Sequence, residues 1–192
     1  MGVIPIAGRF DPSVNHDCLG VIHSAFLPPY TDVAFSLYYT CSTTGGNPTL
    51  YTQWLSMPLP DSAGFTGTYQ FVAGDFGTDG NSQPNFIPDG IDTIAVRRGP
   101  FVAFSNTPVS NHATFPTAQY FGDPNGGDSE YGYFVAGDWN TDGLDSFGLY
   151  YYSNGIPVFY RRNNLDWNLI EYTAQYLPNN GSTFNVATWR EP

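Results

Sequence analysis

At 192 residues and 21.1 kDa the chain has room for one compact domain or a short array of repeats. It is 41% hydrophobic and 17% aromatic but only 12% charged, enough apolar material to build a core and to exclude bulk disorder. A net charge of −11 without a single lysine opposes phosphate backbones and anionic bilayers, and no apolar run is long enough to span a membrane, so neither nucleic acid nor membrane is expected as a partner.

The acids are lopsided, fourteen Asp against three Glu, and 21 Gly and 16 Pro leave little room for long helices. Read in chain order, one pattern comes three times. Its first string is Ile4-Pro5-Ile6-Ala7-Gly8-Arg9-Phe10, then Phe71-Val72-Ala73-Gly74-Asp75-Phe76, then Phe134-Val135-Ala136-Gly137-Asp138-Trp139. Its second is Asp17-Cys18-Leu19-Gly20-Val21, Asp92-Thr93-Ile94-Ala95-Val96 and Asp145-Ser146-Phe147-Gly148-Leu149. Its third is Thr52-Gln53-Trp54, Ala118-Gln119-Tyr120 and Ala174-Gln175-Tyr176, and a last echo, Asn185-Val186-Ala187-Thr188-Trp189, closes the chain. The Ala-Gly pairs stand 66 and 63 residues apart, so the chain reads as three repeats over about 1–66, 67–130 and 131–192.

Each repeat reads as four short strands split by turns. In the third, strands are expected over Tyr131–Gly137, Ser146–Ser153, Ile156–Arg161 and Leu169–Tyr176, with Asn154-Gly155 as the hairpin turn. Imperfect apolar alternation suits sheets covered on both faces. The expected fold is therefore all-β: three tandem four-stranded antiparallel repeats, β-propeller-like. The segments 28–30, 42–48 and 80–88 are expected as surface loops. Cys18 and Cys41 fit either a disulfide or two separate buried thiols.

The sharpest chemistry lies between the first two strands of repeat three, in Asp138-Trp139-Asn140-Thr141-Asp142-Gly143-Leu144-Asp145. Oxygen donors at alternate positions, a Gly for the sharp turn and a closing carboxylate follow the logic of a calcium loop, because Ca2+ takes six to eight oxygens and a tight loop supplies several. Asp138, Asn140, Asp142 and Asp145 would offer side chains and Leu144 its carbonyl; oxygen-only ligation argues against zinc and copper. In repeat two, Asp75, Asp89 and Asp92 would bind, with Asp79 displaced or helping. In repeat one Arg9 replaces the opening Asp and is expected to pair with Asp17. The alternative is that these Asp residues only anchor turns.

The run from Val135 to Tyr150 resembles the FG-GAP/VCBS-type repeat, closely in repeat three, recognisably in repeat two and only by position in repeat one. The resemblance implies a β-propeller with calcium loops between the first two strands of its blades. Three repeats are few for such a ring, so closure within one chain, by blades of neighbouring chains, or an open array capped by partners all stay open.

No nucleophile-elbow pattern and no phosphate loop is present; His16, His23 and His112 lack metal-like spacing, and nothing brings Glu130 and Glu171 together. Trp54, Trp139, Trp167, Trp189 and Tyr150–Tyr152 are read as packing between sheets before sugar stacking, and Arg97-Arg98 and Arg161-Arg162 as partners of local Asp or of a neighbouring subunit. The expectation is a non-enzymatic, calcium-stabilised structural protein of a virion surface or other extracellular assembly, such as a phage capsid decoration or tail-surface protein. Its partners would be copies of itself or capsid or tail proteins. The alternative is a secreted carbohydrate-binding or adhesion module.

Overall fold

A computed structural model describes residues 3–26, 33–42, 49–55, 69–79, 86–104, 119–122, 132–163, 165 and 172–176. Every regular element among them is a β-strand, and three four-stranded antiparallel sheets follow one another along the chain. Sheet one is β1 (Val3–Gly8), β2 (Cys18–Phe26), β3 (Val33–Thr40) and β4 (Thr49–Leu55), paired in that order. Sheet two starts at β5 (Gln70–Gly74). A small ribbon of β6 (Thr78–Asp79) and β7 (Phe86–Ile87) interrupts it before β8 (Thr93–Arg98), β9 (Phe101–Phe104) and β10 (Gln119–Tyr120) complete it. Sheet three is β11 (Tyr133–Gly137), β12 (Ser146–Ser153), β13 (Ile156–Arg162) and β14 (Tyr172–Tyr176).

Strands stand where the four of repeat three are expected, the first beginning at Tyr133, while residues 169–171 of the expected last strand lie outside the described residues. The β12–β13 hairpin turns on Asn154 (φ +51°) and Gly155 (φ +78°), the left-handed pair that a two-residue hairpin needs. The terminal echo at 185–189, the loop at 28–30 and most of the segments at 42–48 and 80–88 lie outside the described residues, as do Trp167 and Trp189.

Sheet two is covered on both faces, and its sequence shows how. Along β5, β8 and β9, alternate residues point opposite ways. Phe71, Ile94, Val96 and Ala103 join Ile6, Ile22, Leu37 and Tyr39 of sheet one in a first core. Val72, Ala95, Val102 and Phe104 join Phe134, Phe147, Leu149, Val158 and Tyr160 of sheet three in a second. Apolar residues at successive positions are thus required of a middle sheet. The second core is largely aromatic: Phe76 and Phe104 both pack on Phe147, with ring centroids 5.1 and 5.4 Å away. Cys18 and Cys41 are joined as a disulfide that ties the start of β2 to the end of β3.

Strand β5 packs against both β1 and β11. One cavity of about 280 Å³ is lined by all three of these first strands, with Asp17, Asp92 and Asp145 among its walls.

Candidate functional site

The three Ala-Gly corners lie at the ends of β1, β5 and β11. After each, an aromatic side chain folds back over the glycine: Phe10 over Gly8, Phe76 over Gly74 and Trp139 over Gly137. At two corners the following repeat then reaches in. Asp92 of repeat two accepts the Arg9 N–H on Oδ2 at 2.8 Å, and its own N–H donates to the Arg9 carbonyl at 2.9 Å. Asp145 of repeat three repeats this on Asp75: the Asp75 N–H donates to Asp145 Oδ2 at 2.8 Å, and Asp145 N–H donates to the Asp75 carbonyl at 2.9 Å. Both carboxylates are buried. A buried charge-assisted hydrogen bond contributes roughly 1.5–3 kcal/mol, so each clamp is a substantial part of a joint.

The glycines make room for these clamps. A Cβ on Gly8 would stand 2.9 Å from Asp92 Oδ2, and one on Gly74 would stand 3.0 Å from Asp145 Oδ2. At the other end of β5, the Gln70 amide donates to Gly132 O at 2.8 Å and accepts the Phe134 N–H at 2.6 Å, while buried Arg97 donates to the same Gly132 carbonyl.

The proposed metal ligands fall into three groups. Asp92 and Asp145 hold the backbone of the preceding repeat, as described. Asp75 is fully buried and its carboxylate accepts N–H groups from Gly77, Asp89 and Gly90 at 3.1, 3.4 and 2.7 Å. Gly77 (φ +72°) and Gly90 (φ +73°) give the left-handed turns that aim two of these donors. Asp89 accepts from Ile91 N–H; burial raises its carboxyl above the ordinary range, and the Asp75 charge adds to that. The backbone of Asp79 belongs to β6, and its side chain lies outside the described residues.

Asp138, Asn140 and Asp142 stay together on an open loop. Asp138 accepts N–H groups from Asp142 at 3.2 Å and Gly143 at 2.9 Å, and Asp142 accepts the Leu144 N–H at 2.8 Å. The Asn140 amide nitrogen lies between two oxygens, Asp142 Oδ2 and Asn163 O, each at 2.9 Å. The side-chain oxygen of Asn163 is shielded and has no hydrogen-bond partner. Thr141 holds φ +63°, a left-handed conformation that costs a β-branched residue about 1–3 kcal/mol. Among the described residues, no three His, Cys, Asp or Glu side chains gather closely enough to hold an ion by themselves, so a cation here would draw on Asn140 and backbone oxygens.

Arg9 does not follow the expected pairing with Asp17. Its Nε donates to Val14 O at 2.7 Å, and its guanidinium lies against Gly90 of the next repeat. Arg98 lies 5.2 Å over the Tyr69 ring, and Arg161 donates to the Trp139 carbonyl. Sequence reasoning missed Gln70, the Gly132 carbonyl as a partner of Arg97, and the clamping role of Asp92 and Asp145. The available signal was Gly8: repeat one keeps the corner glycine although it lacks the opening Asp, because the glycine serves the neighbour's carboxylate.

No family model, curated protein or solved structure matches this chain.

Proposed function

We infer that the chain is a non-enzymatic structural and interaction protein, built as an FG-GAP/VCBS-like, β-propeller-like array and stabilised by calcium in repeat three. Its setting is a virion surface or another extracellular assembly, such as a phage capsid decoration or tail-surface layer. One observation carries the interaction role: the middle sheet is covered on both faces, whereas the outer faces of sheets one and three present apolar and aromatic side chains to solvent. Val3 is 61% and Leu19 71% exposed on one, Tyr133 66% and Tyr152 44% on the other. The Cys18–Cys41 disulfide favours an oxidising compartment, consistent with an extracellular particle.

The calcium reading rests on Asp138, Asn140 and Asp142 with the Leu144 carbonyl. Turning the Asn140 amide over would place Oδ1 against Asp142 Oδ2 and Asn163 O, an arrangement of facing oxygens that a hard cation stabilises. Thermal unfolding in calcium and in chelator tests it. Calcium at a hundred times its Kd adds about 2.7 kcal/mol, a rise in Tm of roughly 5–10 °C for a chain of this size. An unchanged Tm removes calcium from the proposal.

A carbohydrate-binding module is the second reading. Tyr133, Tyr150 and Tyr152 form a partly exposed aromatic row, with centroids 6.4 Å apart for the first pair and 5.7 Å for the second. Glycan-array binding that disappears in Tyr133→Ala would favour this reading over the structural one.

A further inference from the structure

The joints run in one direction. The closing Asp of a repeat always seizes the corner of the repeat before it, Asp92 on Arg9 and Asp145 on Asp75. Two counterparts of these groups are not joined in this way among the described residues. One is Asp17, the counterpart of Asp92 and Asp145, exposed on the cavity wall. The other is the Gly137–Asp138 corner. Among the described residues, nothing takes the Asp17 carboxylate or the backbone N–H and carbonyl of Asp138 in the way Asp145 takes those of Asp75.

The flanking surfaces match the same plan. Cross-strand neighbours Pro5, Val21 and Tyr38 form an exposed apolar row on sheet one, and Ala7 pairs with exposed Leu19 beside them. On sheet three, the row Tyr133–Tyr150–Phe159 runs across three strands. Phe10 and Phe76 are buried at the two joined corners, whereas Trp139 at the open one is only half-buried.

We propose that a second copy of this chain engages both groups: Asp17 of each copy holds the Gly137–Asp138 corner of the other, and sheet one docks on sheet three. The contact is head-to-tail and occurs twice, closing six sheets into one pair. It continues an interface the chain already builds twice within itself. An acid held against an acidic corner has its precedent in Asp145 on Asp75.

The chain's own terminal echo fits the front end less well. Aligned on the corners, Val186-Ala187-Thr188-Trp189 places Thr188 where Gly8, Gly74 and Gly137 stand. A Cβ at that point comes within 2.9–3.0 Å of the clamping carboxylate at both existing joints. A second copy offers glycine there.

The inference is independent of the calcium reading, so the full chain is measured both in calcium and in chelator. Sedimentation equilibrium over a range of concentrations is expected to give twice the 21.1 kDa chain mass. Asp17→Arg, at an exposed side chain, and Leu19→Glu, on the outer face, are each expected to weaken the pair at least roughly tenfold while keeping a cooperative melt. Gly137→Thr is expected to do the same from the other side of the contact. A wild-type chain that stays at 21.1 kDa at its highest soluble concentration overturns the proposal, as does an open polymer. So does a dimer that Asp17→Arg and Leu19→Glu leave intact.

Discussion

Asp75 and Asp138 open the same string in successive repeats, yet the two loops they anchor differ. Around Asp75 the carboxylate is fully buried, and it accepts three backbone N–H groups. Around Asp138, the short loop leaves Asn140, Thr141 and Asp142 exposed, and two N–H groups suffice. Donors aimed at a buried carboxylate supply the stabilisation that a cation would supply at an open one. The comparison teaches that burial, more than the spacing of acids, separates a turn anchor from a candidate ligand.

The largest expected effect breaks this comparison directly. Asp75→Ala orphans three N–H groups in a buried site and should cost about 3 kcal/mol or more, against about 1 kcal/mol for Asp138→Ala, whose donors water can reach. Urea midpoints of the two variants measure the gap, and equal losses would show that the loops are alike after all. A second pair sharpens the role of the corners. Gly74→Ala drives a Cβ into Asp145 Cβ at 2.9 Å, within a closed joint, and should cost roughly 1–3 kcal/mol. Gly137→Ala meets only the half-buried Trp139 ring among its nearest atoms and should cost less than half of that within one chain.

The smallest effect concerns alkali. Burial, the hydrogen bond with Tyr152 and the charges of Tyr152 and Tyr133 push the Tyr150 hydroxyl up to about 12 from an ordinary 10. Folding therefore favours the neutral phenol: its contribution is complete below pH 10 and is lost as pH rises through 12. The melting temperature should fall across that window, and Tyr150→Phe should flatten the fall. An identical slope in the variant would place the alkaline loss elsewhere.

Much of the architecture was legible because it depends on local chemistry. The three Ala-Gly corners, the Asn154-Gly155 hairpin and the continuous apolar runs of the middle sheet each follow from backbone conformation or side-chain periodicity. The direction in which Asp92 and Asp145 turn was not legible. A carboxylate next to an Asp-Gly loop can serve its own loop or a neighbour's backbone, and the choice depends on residues 83 and 70 positions away. Arg9 misled for the same reason: its place in the string suggested a bond to Asp17, but Val14 O lies closer along the turn. The Gln70 amide bridge to Gly132 and Phe134 is equally long-range and has no counterpart in spacing.

Because the two clamps within the chain, Asp92 on Arg9 and Asp145 on Asp75, reach backward, each of these corners is already synthesised when the carboxylate that will hold it emerges from the ribosome. Repeat two can lock onto repeat one, and repeat three onto repeat two, with no earlier segment waiting on a later one to supply a missing receptor. The array is thus wired for assembly in the order of translation. A duplication that inserted another copy bearing its own corner glycine and closing Asp would extend it without redesigning either neighbour.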